Sequence, residues 1–247
     1  MGTVLCYFAV LALFSVASGT DEMSKHWDYL VFSQKWPVTF CIQQGGPESE
    51  CLFPKNALDW TIHGVWPTRL DGLGPFYCNT TVKFDVEKVT PIRRKLEEYW
   101  PNLEVGKTVE SLWQHEWEKH GTCVLDFEPL NTEEKYFQGG LNLYGKYNIT
   151  WLLEKVKIFP DRRKEYNVQY MTDQIRKVLS KNPDIHCIKR SSNKKFYLFE
   201  IRLCLDKELD LIDCDPRFNQ NTKYSSSNCP LDVSIMYPKD AEGLHGN

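Results

Sequence analysis

The chain of 247 residues has no large excess of either charge: 30 Lys and Arg stand against 33 Asp and Glu, a formal net charge of −3. It therefore has no global basic field for a polyanion, and any nucleic acid must be held by a local cluster. It has no Cys-x-x-Cys pair, which leaves a zinc ribbon or a thioredoxin-like redox site without support. After residue 19 it has no stretch apolar enough to be a membrane helix. It has no internal repeat, low-complexity tract or linker composition, so nothing divides it in two. Its helical and strand-like patterns do not alternate in βαβ fashion, which turns the reading toward one α+β domain over residues 20–247, with a mainly antiparallel central sheet and flanking helices.

What is present points to export. A 42% hydrophobic composition suffices for one sizeable core. Val4 to Ala17 is an apolar run of signal-peptide length ending in small residues, so residues 1–19 are expected to be a secretory signal cut after Gly19 or one residue earlier. The sequence has nine cysteines, and Cys6 leaves with that signal. Cys41, Cys51, Cys78, Cys123, Cys187, Cys204, Cys214 and Cys229 remain, an even set that in an exported chain suggests up to four disulfides. Asn79-Thr80-Thr81 and Asn148-Ile149-Thr150 are N-glycosylation sequons, with Asn79 and Asn148 the expected acceptors.

Along the chain, Trp27 to Cys41 is rich in aromatic and β-branched residues and reads as a strand, interrupted at Pro37 and followed by an irregular turn. In Ala57 to Pro67 two tryptophans, Trp60 and Trp66, flank His63, and Gly64 lets the backbone turn or be approached closely. Thr90-Pro91 reads as a helix start, with Thr as N-cap and Pro at the first position, ending before Trp100-Pro101. Asn131 or Thr132 opens another helix, which Gly139-Gly140 and Gly145 suggest is broken or closely packed. Further helices begin at Thr150 and at Thr172. Ile185 to Ile188, Phe196 to Leu205 and Val233 to Tyr237 read as strands, and in the longest only Glu200 and Arg202 look wet. The basic clusters Lys189-Arg190 with Lys194-Lys195, and Arg93-Arg94-Lys95, read as solvated faces.

One stretch carries the chemistry: His115-Glu116-Trp117-Glu118-Lys119-His120-Gly121. Val109 to Lys119 has neither proline nor glycine and predicts a helix that Gly121 stops. With His115 at zero, Lys119 falls near about 40°, Glu116 near about 100° and His120 near about 140°. One face thus carries a carboxylate, a fixed cation and two groups that titrate near neutrality. A solvated face of i,i+3 and i,i+4 pairs is the bland alternative, and the two histidines shift the balance toward a site. The zinc-protease motif fails by one residue, because its second histidine belongs at i+4, where Lys119 stands. RNA strand cleavage suits these groups. The 2′-OH must lose a proton, the 5′-oxygen must gain one, and the phosphorane between them gathers negative charge. Two imidazoles can serve the proton transfers and a cation the charge, with no metal or other cofactor.

The pair of motifs resembles the ribonuclease T2 family of secreted acid ribonucleases over nearly the whole mature chain. Trp60-Thr61-Ile62-His63-Gly64-Val65-Trp66-Pro67 is similar to its first signature, and His115 to Cys123 to its second. Phe32 to Pro37 with Cys41, and Leu198 to Ile201 with Cys204, are similar to two of its strands. Val65 and Lys35 depart from the family pattern, and neither is expected to touch the ionisable groups. The resemblance implies a ribonuclease T2-like fold and endonuclease action on single-stranded RNA with low base preference, giving 2′,3′-cyclic phosphates and then 3′-phosphates. His120 is implied as the first-step base and His63 as the acid. Glu116 and Lys119 would support the phosphorane, and His115 would hold phosphate. Trp60, Trp66 and Trp113 are candidate walls of the site, with core packing the alternative for each. Gln34 and the Arg69 to Cys78 loop are candidate base contacts, with loop packing the favoured alternative. The implied disulfides are Cys41–Cys51, Cys78–Cys123, Cys187–Cys229 and Cys204–Cys214. A monomer in the secretory pathway, extracellular or lysosomal, is expected. The rival reading is a non-catalytic secreted RNA-binding or receptor-binding protein on the same scaffold.

Overall fold

The structure is a computed structural model that describes residues 26–44, 51, 59–70, 74–191, 193–214 and 229–240. The expected signal segment lies outside the described residues. The fold is α+β around a mainly antiparallel seven-stranded sheet. β1 (Tyr29–Lys35) is followed at once by the helix α1 (Pro37–Gln43), and β2 is Thr61–Thr68. Pro37 opens α1 at its first turn, where a missing N–H costs nothing, rather than merely interrupting a strand. A 3₁₀ turn, Val86–Ile92, leads into α2 (Arg93–Tyr99). Asp85, not Thr90, caps that turn by accepting from Glu87 N, while the Thr90 hydroxyl bonds back to Val86 O. α3 (Val109–Lys119) matches the sequence expectation, with Thr108 as its cap. It is followed by α4 (Glu133–Lys146) and α5 (Ile149–Lys155).

Next come β3 (Glu165–Asn167), α6 (Val168–Leu179), β4 (Asp184–Lys189), β5 (Phe196–Leu205), β6 (Leu211–Ile212) and β7 (Ser234–Met236). The strand path is β2-β1-β5-β7-β3, with β4 and β6 also pairing β5. The ten-residue β5 is the hub: it meets β1, β4 and β6 antiparallel and β7 parallel. No helix among the described residues is long and apolar enough to cross a membrane.

The core is unusually aromatic, and its polar handles hold the two motifs together. Tyr136 on α4 donates to Val65 O on β2 at 2.7 Å and lies 3.5 Å from Glu116 O on α3. Trp113 Nε1 donates to Trp100 O, and Trp100 Nε1 donates to His63 O, each at 2.9 Å. α4 is closely packed rather than broken. A Cβ on Gly140 would stand 2.4 Å from the Trp100 ring, and one on Gly139 would stand 2.3 Å from Leu130. All four implied disulfides are formed, and Cys78–Cys123 joins the segment after β2 to the turn after α3.

Candidate active site

His63 reaches the site through a defect in the ladder. On β1 and β2, Ser33 faces Gly64 and Gln34 faces Ile62, so His63 is the extra residue of a β-bulge. A bulge re-aims its side chain, and of the two options read at Gly64, a turn or a close approach, the continuous strand shows the close approach. The ring packs edge-on against Trp66 at 5.0 Å and bonds through Nδ1 to Glu200 on β5. Gly64 must stay a glycine, since a Cβ would come 2.1 Å from Trp66 Nε1 and 2.2 Å from Glu116 Oε2.

The other half comes from the end of α3. His120 is the C-cap residue, its N–H still bonded to Glu116 O at 3.0 Å. Its ring lies 5.5 Å from that of Trp66 and 5.6 Å from that of Phe76. One indole is thus flanked by both imidazoles, and its Nε1 donates to Glu116 Oε2 at 2.9 Å. Lys119 extends over Phe76, its Nζ 5.2 Å from the ring, and the guanidinium of Arg202 lies 5.0 Å from the Trp66 ring. Tyr77 N–H donates to Lys119 O at 2.8 Å, so the segment beside the Cys78–Cys123 bridge grips the helix end.

The electrostatics follow from burial and neighbours. Burial holds the His120 imidazole well below its ordinary range, and the nearby Lys119, His115 and His63 add to the effect. Its Nδ1 is buried without a hydrogen-bond partner among the described residues, so no acceptor there stabilises the charged ring. Burial, then Lys119 and His63, also lower His115, whose side chain stays exposed at the rim. Burial pushes the Glu116 carboxyl up, opposed in part by His63, the Trp66 N–H, Lys35 and Lys119. Burial would push Glu200 up too, but His63 and Arg202 outweigh it and hold this carboxyl well below the usual range. Among the described residues, no group of three or more His, Cys, Asp and Glu is placed to hold a metal ion.

The Ribonuclease T2 family profile matches residues 27–214. The chain belongs to that family. Ribonuclease Oy of Magallana gigas is 35% identical over 216 residues, which span 87% of this chain and 97% of that protein. Ribonuclease 1 of Arabidopsis thaliana is 32% identical over 215 residues, covering 85% of this chain and 90% of that one. The crystal structure of human RNase T2 superposes with a TM-score of 0.70 at 28% identity, covering 86% of this chain and 98% of its own.

The remaining candidates of this ribonuclease T2 family member separate into site and scaffold. Trp66 is part-exposed at the centre of the cluster, whereas Trp60 and Trp113 are fully buried. Trp60 Nε1 donates to Tyr237 Oη at 2.8 Å. Gln34 is fully buried as well: its Nε2 donates to Tyr147 O at 2.7 Å and its Oε1 receives Ile149 N–H at 3.2 Å. Residues 71–73 of the Arg69 to Cys78 loop lie outside the described set, and Phe76 of that loop, half exposed, walls His120. Asn79 receives Thr81 N–H, and Asn148 caps α5. Arg93 is paired with Glu97 and Glu110, and Lys195 with Glu165, as solvated faces would be.

Two expectations are corrected. Glu200 is not wet: it is 1% exposed and bonded to Arg202, Ser33 and His63. Lys35 does not stand apart from the ionisable groups. It is 3% exposed, its Nζ 4.8 Å over the Phe40 ring, and its charge acts on both Glu116 and Glu200. Burial lowers its own pKa. A charged residue in a long apolar strand was the only signal for Glu200, and it reads equally well as an edge facing water.

Proposed function

We propose that the chain is a metal-independent endoribonuclease that cleaves single-stranded RNA by transphosphorylation, with low base preference. His120, held neutral by burial, takes the proton of the 2′-OH as that oxygen attacks phosphorus. His63, also beside Trp66, gives a proton to the departing 5′-oxygen. Lys119 and Glu116, whose carboxyl burial pushes toward its protonated form, meet the charge on the phosphorane. His115 at the rim becomes cationic as pH falls and draws in phosphate. In the second step the proton transfers run in reverse, and water opens the 2′,3′-cyclic phosphate to a 3′-phosphate. A base kept neutral in acid beside a protonated partner gives an acidic optimum.

The observation that supports this reading is that His63 and His120 flank one indole whose N–H is bonded to Glu116. We also propose export as a monomer after removal of residues 1–19, residues 20–247 as a single domain, glycans on Asn79 and Asn148, and an extracellular or lysosomal setting. The test is digestion of single-stranded RNA in excess EDTA, with phosphorus NMR following the products. Cyclic phosphate should appear first, faster near about pH 5 than near about pH 8. Loss of activity in EDTA, or 5′-phosphate ends, would overturn the mechanism.

A further inference from the structure

Glu200 ties the sheet to the site. In mid-β5 it stands opposite Lys35 of β1 and His186 of β4, and His186 is itself bonded to Asp184 at 2.8 Å. Its two oxygens are used unequally. Oε2 receives Arg202 Nε and Nη2 at 2.9 and 2.7 Å and Ser33 Oγ at 3.2 Å. Oε1 is left to Nδ1 of His63.

We propose that Glu200 is a positioning residue for the leaving-group step, fixing the hydrogen of His63 on Nδ1 and reserving Nε2 for the 5′-oxygen. The assignment rests on the ribonuclease reading above. A carboxylate clamped by the Arg202 fork has no proton to give, so it can only accept, and the shared hydrogen must be on His63 Nδ1. In the neutral ring Nε2 then carries the lone pair, and in the imidazolium it carries the second proton. Cleavage moves that proton from Nε2 to the 5′-oxygen as the P–O bond breaks. It leaves the Nδ1 hydrogen in place, and the ring returns to the one tautomer that can take a proton from water in the next step. A histidine held by a buried acid through its far nitrogen is a recurrent way to fix ring orientation and tautomer. β1 lies between β2 and β5, so the contact from the bulge at His63 spans that strand, on which Ser33, opposite Gly64, itself donates to Glu200 Oε2.

The test compares wild type and Glu200→Gln on two substrates. One is a dinucleoside phosphate. The other is a nucleoside 3′-(p-nitrophenyl phosphate), whose leaving group departs without a proton. The variant should lose about 10²-fold in kcat on the dinucleotide, with KM little changed, and less than about tenfold on the nitrophenyl ester. Equal losses on both, or none on the dinucleotide, would overturn the assignment alone. A wild type inert on both would overturn the ribonuclease reading and the assignment with it. Should the variant not fold, ring-nitrogen NMR of labelled wild type decides: neutral His63 is expected as the Nδ1–H tautomer, and the Nε2–H tautomer would overturn the proposal.

Discussion

Glu116 and Glu200 are two carboxylates equally hidden from solvent, each 1% exposed and each within the field of His63. Their acidities move in opposite directions. Among the described residues Glu116 has one side-chain hydrogen bond, from the neutral Trp66 indole, and burial wins. Glu200 has a guanidinium fork, a hydroxyl and an imidazole, and these outweigh the same burial. Burial sets what a charge costs, and partners decide whether it is kept. The site therefore holds a fixed anion bonded to His63 and, on the Trp66 indole, a carboxyl that burial pushes toward its protonated form. Opposed carboxyl acidities of this kind are a common mark of acid/base work.

Breaking the comparison at Glu200 has the largest expected effect. Glu200→Ala leaves Arg202 and His63 without their anion and should cost about 3 kcal/mol in urea unfolding near neutral pH, the low end for a broken buried pair because both partners keep some solvent contact. A loss below about 0.5 kcal/mol would show that the anion contributes little. The next effect is at Glu116. Glu116→Gln should lower kcat on RNA by about 10²-fold, yet raise stability by about 1 kcal/mol at neutral pH, because it removes a buried charge.

The signs separate with pH. Glu200, depressed on folding, contributes stability above its unfolded value of about 4.3 that is lost as pH falls below it. Glu116, raised on folding, does the reverse: the folded chain holds the extra proton, so stability declines as pH rises from about 4.3 through the raised value. The gap between wild type and Glu200→Gln should close in acid, and that between wild type and Glu116→Gln should open as pH rises. The smallest effect is at Lys35. Lys35→Met removes a cation that favours ionised Glu116, so the upper limb of the pH–rate profile should move up. A downward move would contradict the coupling.

Much of this was legible in the chain. The α3 face carried His115, Glu116, Lys119 and His120 by spacing alone, and the indoles around His63 marked the second motif. The structure brings the two together. Glu200 was hidden because a pattern that marks a central strand does not show that its charged residue is answered by a partner 137 positions away. α1 was hidden because a proline that breaks a strand also starts a helix. β3 and β6, of three and two residues, are too short to show a period. Of the three tryptophans read as walls, only Trp66 lines the cluster. Trp60 and Trp113 have the same composition signal but spend their N–H groups inside the core.

The proposed mechanism requires His63 and His120, both beside Trp66, to act on one phosphodiester. The direct test is initial-rate cleavage of a single dinucleoside phosphate by wild type, His63→Ala and His120→Ala, each checked for native circular dichroism. The account predicts folded variants that each lose at least about 10³-fold in kcat and form no cyclic phosphate within the wild-type reaction time. Either variant retaining appreciable cleavage would remove that histidine from the pair and contradict the mechanism.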